Sequence, residues 1–524
     1  MKEVPTPIYR RLSEVKRLWS AKLHGRPSRL AKTPTRTERC ERALQFASAR
    51  RIAAGEAYNS QPMLARMSTH RSSSPSSTLE PRCDHRSYSS LLPRAEALRM
   101  LTRAPFALLA TLSLALCASA TSHASKPAKM ASYTLFAAGY NGTIVPYSVD
   151  ADKGQLERIS HGVQVNSSGT SPSWIAYTSG HHGHAKHSDL RLYSVDETAP
   201  GRLFSHTYQA AKGTIVQTGT DLQRTNGTSS GGDGPVSCLV GHGPSKGLLF
   251  VANYNAGTAA VVSINKHDGT LAKEAKHVFQ FTRPASAPKL GPVPDRQDHS
   301  YAHQVSITPS GRWVYVCDLG ADQIHHLRID DAHNVEFVAS TDLPAGSGPR
   351  HITFHRDCSG RTFAYLASEL DNTVSAFAHD DATGKLERIQ DPILASPPGE
   401  PLSGPGILPT NRTTAEIAVV PAGDFVYVSD RGDEEEDHIS IFSRDTETGK
   451  LSFVEWVKSG GRMPRHFSLS SDTGRDDSAR WLAVGHQTDQ NIVIFERHPD
   501  TGKLTRADVR ANIGQVAFTG FAPF

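Results

Sequence analysis

The sequence feature that most constrains the fold is a short turn, Thr-Gly-Lys-Leu, that occurs three times in the second half of the chain. The copies begin at Thr383, Thr448 and Thr501, and an acidic turn precedes each one. Glycine after a short polar lead suits a hairpin position that needs a positive φ, and the leucine restarts a strand. The turn therefore predicts a series of similar β-units.

Short runs of β-branched and aromatic residues fill the intervals between such turns, for example FAYLAS (363–368) and FVYVSD (425–430). They group into seven units, which start near residues 133, 173, 236, 303, 350, 415 and 465. Periods of this size, each built from four short strands, are typical of propeller blades. No helix-length apolar periodicity interrupts them. We predict an all-β chain, a seven-bladed β-propeller of four-stranded antiparallel blades, with an array of β-sandwiches as the alternative.

Four polar or proline-rich segments interrupt the repeat, and we predict that they are long surface loops. They are residues 181–187, 218–235, 284–294 and 397–409. The first of them, HHGHAKH, has closely spaced imidazoles of the kind that bind transition metals. A surface loop is the simpler interpretation, because no partner ligands are evident in the sequence.

The N-terminal part of the chain differs in composition from the repeat. Residues 1–99 are rich in Arg, Ser, Thr and Pro and lack a sustained apolar face, which predicts disorder or a gene-model extension. Residues 100–120 have the pattern of a signal peptide: Met100, an apolar run too short for a comfortable membrane span, and a small-residue cleavage pattern. We predict Met100 as the true start and a propeller over 121–524. A genuine tail, or a transit peptide ahead of a membrane anchor, is the alternative.

Further sequence features agree with export. Four glycosylation sequons lie downstream, at Asn141, Asn166, Asn226 and Asn411. We therefore predict a secreted glycoprotein with no membrane association after cleavage, with a cytoplasmic location as the alternative. The net charge of +5 comes largely from residues before 105, so basicity gives no argument for nucleic-acid binding.

Three cysteines remain after the predicted cleavage, so at most one disulfide is possible. Cys238 and Cys317 lie inside strand-like runs, and we predict that they are buried thiols. Stability must therefore come from a large core.

Charged residues occur at equivalent places at the strand ends of successive units. They are His303, Arg350, Glu369, Arg431 and Arg465. Three arginines that converge on a propeller channel would bind a carboxylate or phosphate, and a His and a Glu beside them could transfer protons. The structural alternatives are an Arg350–Glu369 ion pair within one blade, a loop-capping Arg465 and a hydrogen-bonded His303 without chemistry.

Other polar residues are weaker candidates for substrate binding. They are Asn253 and Asn255 in NYNAG, and His486 with Gln487 in VGHQ. Each could donate a hydrogen bond to a ligand or satisfy the packing of a blade.

The same motifs carry a family resemblance. They are VANYNAGT (251–258), HQVSITPSGRWVYVCDLGADQI (303–324), GPRHITFH (348–355), SELDNTVSAF (368–377), EIAVVPAGDFVYVSDRG (416–432), MPRHF (463–467) and VGHQTDQNIVIF (484–495). In these runs the chain resembles the seven-bladed β-propeller lactonase family, which includes 6-phosphogluconolactonases and 3-carboxy-cis,cis-muconate lactonizing enzymes. The resemblance extends over about Tyr133 to Phe524.

The resemblance implies an active site in the mouth of the central channel that uses no metal and no cofactor. It also implies that His303, Arg350, Glu369 and Arg431 are the catalytic residues. Two departures are visible: Tyr301 stands where the family often has the first histidine of a His-x-His motif, and an acidic run, 433–437, follows Arg431.

These observations leave four functional hypotheses open. The first is hydrolysis of an anionic sugar lactone, as in a 6-phosphogluconolactonase, with the arginines on the anion and His303 or Glu369 as the base. The second is a muconate-type cyclisation of a dicarboxylate by the same residue types. The third is a secreted propeller that binds a ligand without catalysis, and the fourth is a calcium-dependent lactonase. The predicted partner is a small anionic carbohydrate, dicarboxylate or lactone.

Overall fold

The computed structural model describes residues 132–165, 171–178, 189–285, 288, 290–397, 412–473, 478–510 and 512–523. The predictions on the extension, the signal peptide, the histidine run and the sequons at Asn166 and Asn411 lie outside these residues. The sequon asparagines Asn141 and Asn226 are described, and both are exposed.

The described residues form short strands almost throughout. In the first half these are β1 (Ser132–Gly139), β2 (Thr143–Asp150), β3 (Leu156–Arg158), β4 (Val163–Gln164), β5 (Ile175–Tyr177), β6 (Leu190–Asp196), β7 (Arg202–Gln209), β8 (Thr214–Gln217), β9 (Thr228–Ser229), β10 (Pro235–Val240), β11 (Leu248–Asn253), β12 (Thr258–Ser263), β13 (His277–Gln280), β14 (Ala302–Ile307), β15 (Trp313–Asp318), β16 (Gln323–Ile329) and β17 (Val335–Asp342). In the second half they are β18 (Pro349–Arg356), β19 (Thr362–Ser368), β20 (Thr373–His379), β21 (Leu386–Arg388), β22 (Ile393–Leu394), β23 (Thr413–Val419), β24 (Phe425–Arg431), β25 (His438–Arg444), β26 (Leu451–Lys458), β27 (Pro464–Leu469), β28 (Trp481–His486), β29 (Asn491–Arg497), β30 (Leu504–Arg510) and β31 (Val516–Phe521).

Helical structure is confined to short pieces. One α-helix, α1 (Asp221–Asn226), and three 3₁₀ turns, Gly243–Ser245, Pro294–Arg296 and Ser470–Thr473, occur in the described residues. Helix α1 lies inside the segment 218–235 that was predicted to be a loop. It forms because Thr220 and Gln223 make a reciprocal capping box at its start. None of the described helices has the length and apolarity needed to cross a membrane.

The strands pair into seven antiparallel sheets, which confirms the predicted seven-bladed propeller. Blade 1 contains β1–β4 and β31, blade 2 β5–β9, blade 3 β10–β13, blade 4 β14–β17, blade 5 β18–β22, blade 6 β23–β26 and blade 7 β27–β30. In blades 1, 2 and 5 the outer edge is shared by two short strands, so these sheets count five strands. The innermost strands begin within two residues of the predicted unit starts in blades 2 to 7.

Blade 1 differs from the prediction because its innermost strand comes from the other end of the chain. Strand β31 pairs with β1, with Leu135 opposite Phe521 and Ala137 opposite Thr519. The run that starts near residue 133 is thus the second strand of its blade. The ring closes here by pairing the two ends of the described chain, because the C-terminal strand β31 completes a blade whose other strands, β1 to β4, are N-terminal.

Apolar side chains fill every junction between neighbouring blades. Seven buried clusters run around the ring, and each takes residues from two adjacent blades. The cluster of blades 1 and 2, for example, contains Phe136 and Phe204, and that of blades 7 and 1 contains Trp481 and Tyr147. Because both faces of the middle strands are covered, these strands read as near-continuous apolar runs. Cys238 and Cys317 are buried free thiols, as predicted.

The repeated Gly-containing turns bind one blade to the next. Gly449, in the turn before β26, has a φ of +77°, and its carbonyl oxygen accepts a 2.9 Å hydrogen bond from the hydroxyl of Tyr365 in β19 of the preceding blade. The equivalent pairs are Tyr193–Gly269, Tyr315–Gly384 and Tyr427–Gly502. The positive φ expected from the sequence is confirmed, and the turn has a second role as an acceptor for a buried tyrosine.

We predict that Gly449→Ala destabilises the protein more than Gly247→Ala. Both glycines have a positive φ, which costs an alanine about 1–2 kcal/mol. At Gly449 the added Cβ would also overlap the ring of Phe363, whereas at Gly247 nothing lies within 4 Å. Overpacking should add about 1–3 kcal/mol at Gly449 alone. Urea unfolding measures the free energy of unfolding of both variants. Equal losses of stability would contradict the close packing of this turn against the preceding blade.

Candidate functional site

A β-bulge in the innermost strand of several blades places the first set of site residues. In blade 5, Pro349 pairs with Ser368 and His351 pairs with Ala367, so Arg350 is an extra residue without a partner in the register. Such a bulge turns a side chain away from the regular alternation of a strand. The extra residues at the equivalent bulges of blades 3, 4 and 7 are Val236, His303 and Arg465.

The second set of site residues lies at, or directly after, the last residue of the second strand of a blade. In blade 5 Glu369 follows Ser368, the last paired residue, whereas in blade 6 Arg431 is itself the last paired residue and lies opposite Thr413. The corresponding residues of the other blades are Tyr140, Glu197, Tyr254, Leu319 and Gln487. Several of these were not singled out by the sequence.

The carboxylate of Glu369 is the centre of the cluster. Its Oε2 lies 2.7 Å from Nε of Arg350, and its Oε1 lies 2.8 Å from Nη2 of Arg296 and 3.3 Å from Nη2 of Arg431. The side chains of Arg350, Glu369 and Arg431 are each at most 6% exposed. The Arg350–Glu369 pair therefore exists as the structural alternative had it, but it belongs to a larger group. We call Glu369, Arg296, Arg350, Arg431 and Arg465 the arginine cluster.

Arg296 was missed by the sequence reasoning. It ends a 3₁₀ turn in the proline-rich segment between blades 3 and 4, where a surface arginine is the ordinary expectation. Its Nε donates a 3.1 Å hydrogen bond to the hydroxyl of Tyr254, and its Nη2 contacts Glu369. No local pattern marks it, because the residues that hold it come from two other blades.

Arg465 lies at a more open edge of the cluster. Its side chain is 18% exposed, and its guanidinium lies 3.4 Å from the carboxylate of Glu197 and over the ring of Tyr140. Tyr140 in turn donates a 3.0 Å hydrogen bond to Glu197. Burial opposes the charged form of Arg465, but Tyr140, Glu197 and Glu369 together raise its pKa. It is held by neighbours from blades 1 and 2 and keeps its positive charge.

Burial and charge act in opposite directions on the cluster. Burial raises the pKa of Glu369, but Arg296, Arg431 and Arg350 outweigh it and hold that pKa well below its ordinary range. Burial and the charge of Arg431 lower the pKa of Arg350 to about 9, so its guanidinium remains charged at neutral pH. Glu369 is thus a permanent anion that accepts hydrogen bonds, and it is poorly suited to take up a proton.

His303 lies against the arginine cluster as a neutral imidazole. Burial lowers its pKa well below 6.5, and the charge of Arg350 lowers it further. Its ring meets that of Tyr254 edge to face at 5.5 Å and that of His351 at 5.1 Å. Its Nδ1 is buried and has no hydrogen-bond partner among the described residues. A neutral imidazole carries a hydrogen on one nitrogen and a free lone pair on the other, and the second nitrogen is able to accept a proton.

A second polar group lies beside the arginine cluster, on the inner strands of blades 5, 6 and 7. It consists of His351, Glu416 and His466. The carboxylate oxygen Oε2 of Glu416 lies 3.1 Å from Nδ1 of His351 and 3.1 Å from Nε2 of His466. Trp174 packs edge to face against both imidazoles. The sequence reasoning missed all of these residues, because EIAVV, PRHI and PRHF read as ordinary strand starts.

The structure does not bring three of the predicted substrate-binding residues into the arginine cluster. Asn253 is buried and donates its side-chain hydrogen bonds to Ser230 and Thr258. His486 is buried beside Ser459, 3.0 Å away. Asn255, which lies two residues after Asn253, is exposed. Asn253 stands one residue before Tyr254, which contacts Arg296, and successive residues of a strand point to opposite faces.

The residues that depart from the family pattern, Tyr301 and the acidic run 433–437, interact with side chains and backbone groups close to them. The hydroxyl of Tyr301 donates to Asp298, and its ring stacks on Tyr254. In the acidic run, Asp433 pairs with Arg412. Asp437 accepts hydrogen bonds from the backbone N–H groups of Gly432 and Met463. Glu436 forms ion pairs with Lys458 and Arg506. These acidic side chains are bound to their own surroundings rather than to the arginine cluster. Among the described residues, no three His, Cys, Asp or Glu side chains are arranged to hold a metal ion.

Comparison with known proteins identifies the family. The sequence profile described as "Lactonase, 7-bladed beta-propeller" matches residues 128–519. The chain therefore belongs to the seven-bladed β-propeller lactonase family. An uncharacterized protein of Staphylococcus aureus (strain USA300) is 34% identical over 275 residues, which are 52% of this chain and 70% of that protein.

Solved structures agree with this assignment. A proposed 6-phosphogluconolactonase from Bacteroides fragilis is 25% identical, with a TM-score of 0.60, and the match covers 75% of this chain and 98% of that one. The periplasmic gluconolactonase of Pseudomonas aeruginosa is 24% identical, with a TM-score of 0.59 and coverage of 75% and 99%. The second similarity shows the shared fold.

We predict that Glu369→Gln destabilises the protein by about 3–5 kcal/mol at pH 7, because it leaves buried guanidinium groups without their counter-ion. The folded-state pKa of Glu369 lies below its ordinary value of 4.5, so its contribution is complete above that pH and declines as the pH falls below it. The difference between the variant and the wild type should therefore narrow below pH 4.5.

Urea unfolding at pH 7 and at decreasing pH tests this expectation. Glu496→Gln is the matched control, since Glu496 pairs with Arg480 at the surface and should change stability by less than about 1 kcal/mol. A Glu369 variant as stable as this control would contradict the central role of the carboxylate.

Proposed function

We propose that this chain hydrolyses an anionic sugar lactone, in the manner of a 6-phosphogluconolactonase, at the arginine cluster. The observation that carries the proposal is the guanidinium of Arg350. It is 2% exposed, and its Nη1 is buried without a hydrogen-bond partner among the described residues. An unpaired charged donor in a buried position is costly unless a ligand or water completes it. An anionic oxygen is the natural partner.

The charge of the cluster supports the same class of ligand. Four guanidinium groups lie near three carboxylates, those of Glu369, Glu197 and Glu416, which leaves one positive charge in excess. Guanidinium groups bind carboxylate and phosphate oxygens in a bidentate manner. A sugar lactone that carries a phosphate or carboxylate would balance this excess. A neutral ligand would not.

The proposed reaction uses His303 as the base. Its neutral imidazole takes a proton from water, and the water oxygen bonds to the lactone carbonyl carbon. The carbonyl oxygen then carries a negative charge, which Arg350 and Arg431 stabilise. Collapse of this intermediate breaks the bond to the ring oxygen, which takes up the proton and gives the open hydroxy acid. Glu369 anchors the arginines and exchanges no proton.

Family membership supports lactone chemistry, and the Bacteroides fragilis neighbour supports a phosphorylated sugar lactone as the first substrate to test. Purified protein should hydrolyse 6-phosphoglucono-δ-lactone in the presence of a chelator. A carboxymuconate in a parallel assay distinguishes the muconate-type cyclisation. Turnover of the muconate alone, or of neither compound, would contradict the proposal. Loss of turnover on chelation would instead support the calcium-dependent alternative.

We predict that Arg465→Gln raises the KM for the anionic lactone roughly tenfold, because it removes a charged contact to the anion. The KM for glucono-δ-lactone, which lacks the phosphate, should change little. Arg462→Gln is the matched control. Arg462 is exposed, pairs with Asp489 and lies three residues before Arg465, in the loop that leads into β27. Steady-state kinetics with both lactones measure the effect, and equal changes in the two variants would contradict anion binding by Arg465.

A further inference from the structure

The carboxylate of Glu416 receives three donors. Its Oε1 accepts a 3.0 Å hydrogen bond from the backbone N–H of Ile417, and its Oε2 faces the imidazoles of His351 and His466. On the His466 side the protonated nitrogen is fixed. Nδ1 of His466 accepts a 3.3 Å bond from the backbone N–H of Thr519, so its hydrogen is on Nε2 and points to Glu416.

The position of the hydrogen on His351 follows from its contact with Glu416. With Glu416 as an anion, which only accepts hydrogen bonds, Nδ1 of His351 carries the hydrogen that points to Glu416. Its other nitrogen, Nε2, then has a free lone pair. This Nε2 is buried and has no partner among the described residues, and His351 as a whole is 1% exposed.

An unpaired nitrogen of the complementary kind lies on the neighbouring ring. Nδ1 of His303 is also buried and without a partner, and the two ring centres are 5.1 Å apart at an interplanar angle of 63°. A hydrogen bond of about 2.9 Å between two imidazole nitrogens places the ring centres roughly 5 Å apart. The spacing therefore suits an N–H···N bond from His303 to His351, which a rotation of the rings would complete.

Two buried, unsatisfied nitrogens on adjacent rings call for an explanation, because each one costs about 1–3 kcal/mol. Pairing with each other removes both costs. It also joins His303 at the arginine cluster to the carboxylate of Glu416; each of the two residues is 5% exposed.

We propose that His303, His351 and Glu416 form a linear relay that orients and polarises His303 as the base of lactone hydrolysis. This rests on the function proposed above. When His303 takes a proton from water at Nε2, its Nδ1–H donates to Nε2 of His351, whose Nδ1–H donates to Glu416. The positive charge that develops on His303 is thereby stabilised by the anion. The proton returns from Nε2 of His303 to the ring oxygen of the lactone as that bond breaks. His351 and Glu416 are positioning residues.

The relay places the anion of Glu416 behind two imidazoles that lie in a strongly positive environment. The charged and titratable groups around the two imidazoles are Arg296, Arg350, Arg431, Arg465, Glu369, Glu416, His466 and Tyr254. Burial raises the pKa of Glu416, and the neighbouring His466 offsets this only in part. Without an anion behind His351, protonation of His303 beside four arginines would be less favourable.

The alternative role of Glu416 is purely structural. It lies on blade 6 and joins His351 of blade 5 to His466 of blade 7, so it can act as a clamp between blades. His466 supplies the matched control, because it contacts the same oxygen atom but packs on Trp174 and Phe518. A clamp depends on both histidines, whereas the relay depends on His351.

Glu416→Gln, His351→Gln and His466→Gln test the relay through kcat, KM and the pH dependence of kcat/KM for 6-phosphoglucono-δ-lactone. We expect kcat to fall roughly ten- to a hundredfold in the first two variants, with KM within about twofold of the wild type. The acidic limb of the profile should move to lower pH, because loss of the anion lowers the pKa of His303. His466→Gln should keep the wild-type profile, and Glu416→Asp, which retains the charge, should restore it.

Equal profiles in all three Gln variants would overturn the relay while leaving lactone hydrolysis intact. If the wild-type protein does not hydrolyse the lactone, the proposed function fails, and imidazole ¹⁵N spectra of the free protein then decide the relay separately. The relay requires that Glu416→Gln shifts the signals of both His351 and His303. A shift confined to His351 and His466 would contradict the relay and leave Glu416 with a purely structural role as a clamp between blades. Unfolding midpoints show that each variant is folded.

Discussion

One carboxylate, that of Glu369, makes the rest of the site physically possible. Arg350 and Arg431 come from the inner and second strands of neighbouring blades, and Arg296 comes from a loop two blades away. Guanidinium groups brought together without a counter-ion would repel one another in a setting where water does not screen them. The single anion lets them remain charged, buried and close. The excess positive charge that remains is what a ligand can use.

The scaffold supplies the precision that this arrangement needs. Each blade is too small to hold a charged group in place, but the buried clusters between blades and the tyrosine-to-turn hydrogen bonds join the sheets into one ring. On that ring the same two places recur in blade after blade: the bulge of the inner strand and the end of the second strand. The site is built by varying the side chain at repeated backbone positions, so the blades share a framework and differ in chemistry.

The sequence predicts this framework well because the strand period and the turn chemistry are local. Arg350, Glu369 and Arg431 were found because each repeats a position relative to its own strands. Asn253 stands one residue before Tyr254, which contacts the arginine cluster, and the exact end of the second strand is not visible in the sequence. Arg296 depends on contacts with Tyr254 and Glu369 from distant parts of the chain, and no local pattern encodes such contacts. Glu416 lies in a bulge that follows no rule of alternation.

The closure of blade 1 by β31 has a consequence for how the protein is made. Six blades are complete within continuous stretches of chain and can form as each stretch leaves the ribosome. Strand β1 must wait with an unpaired edge until residues 516–521 have been synthesised, after almost the whole chain. Unpaired strand edges invite association with other chains. The nascent protein is therefore most exposed to aggregation at its first blade, and translation that stops before residue 516 leaves that edge open.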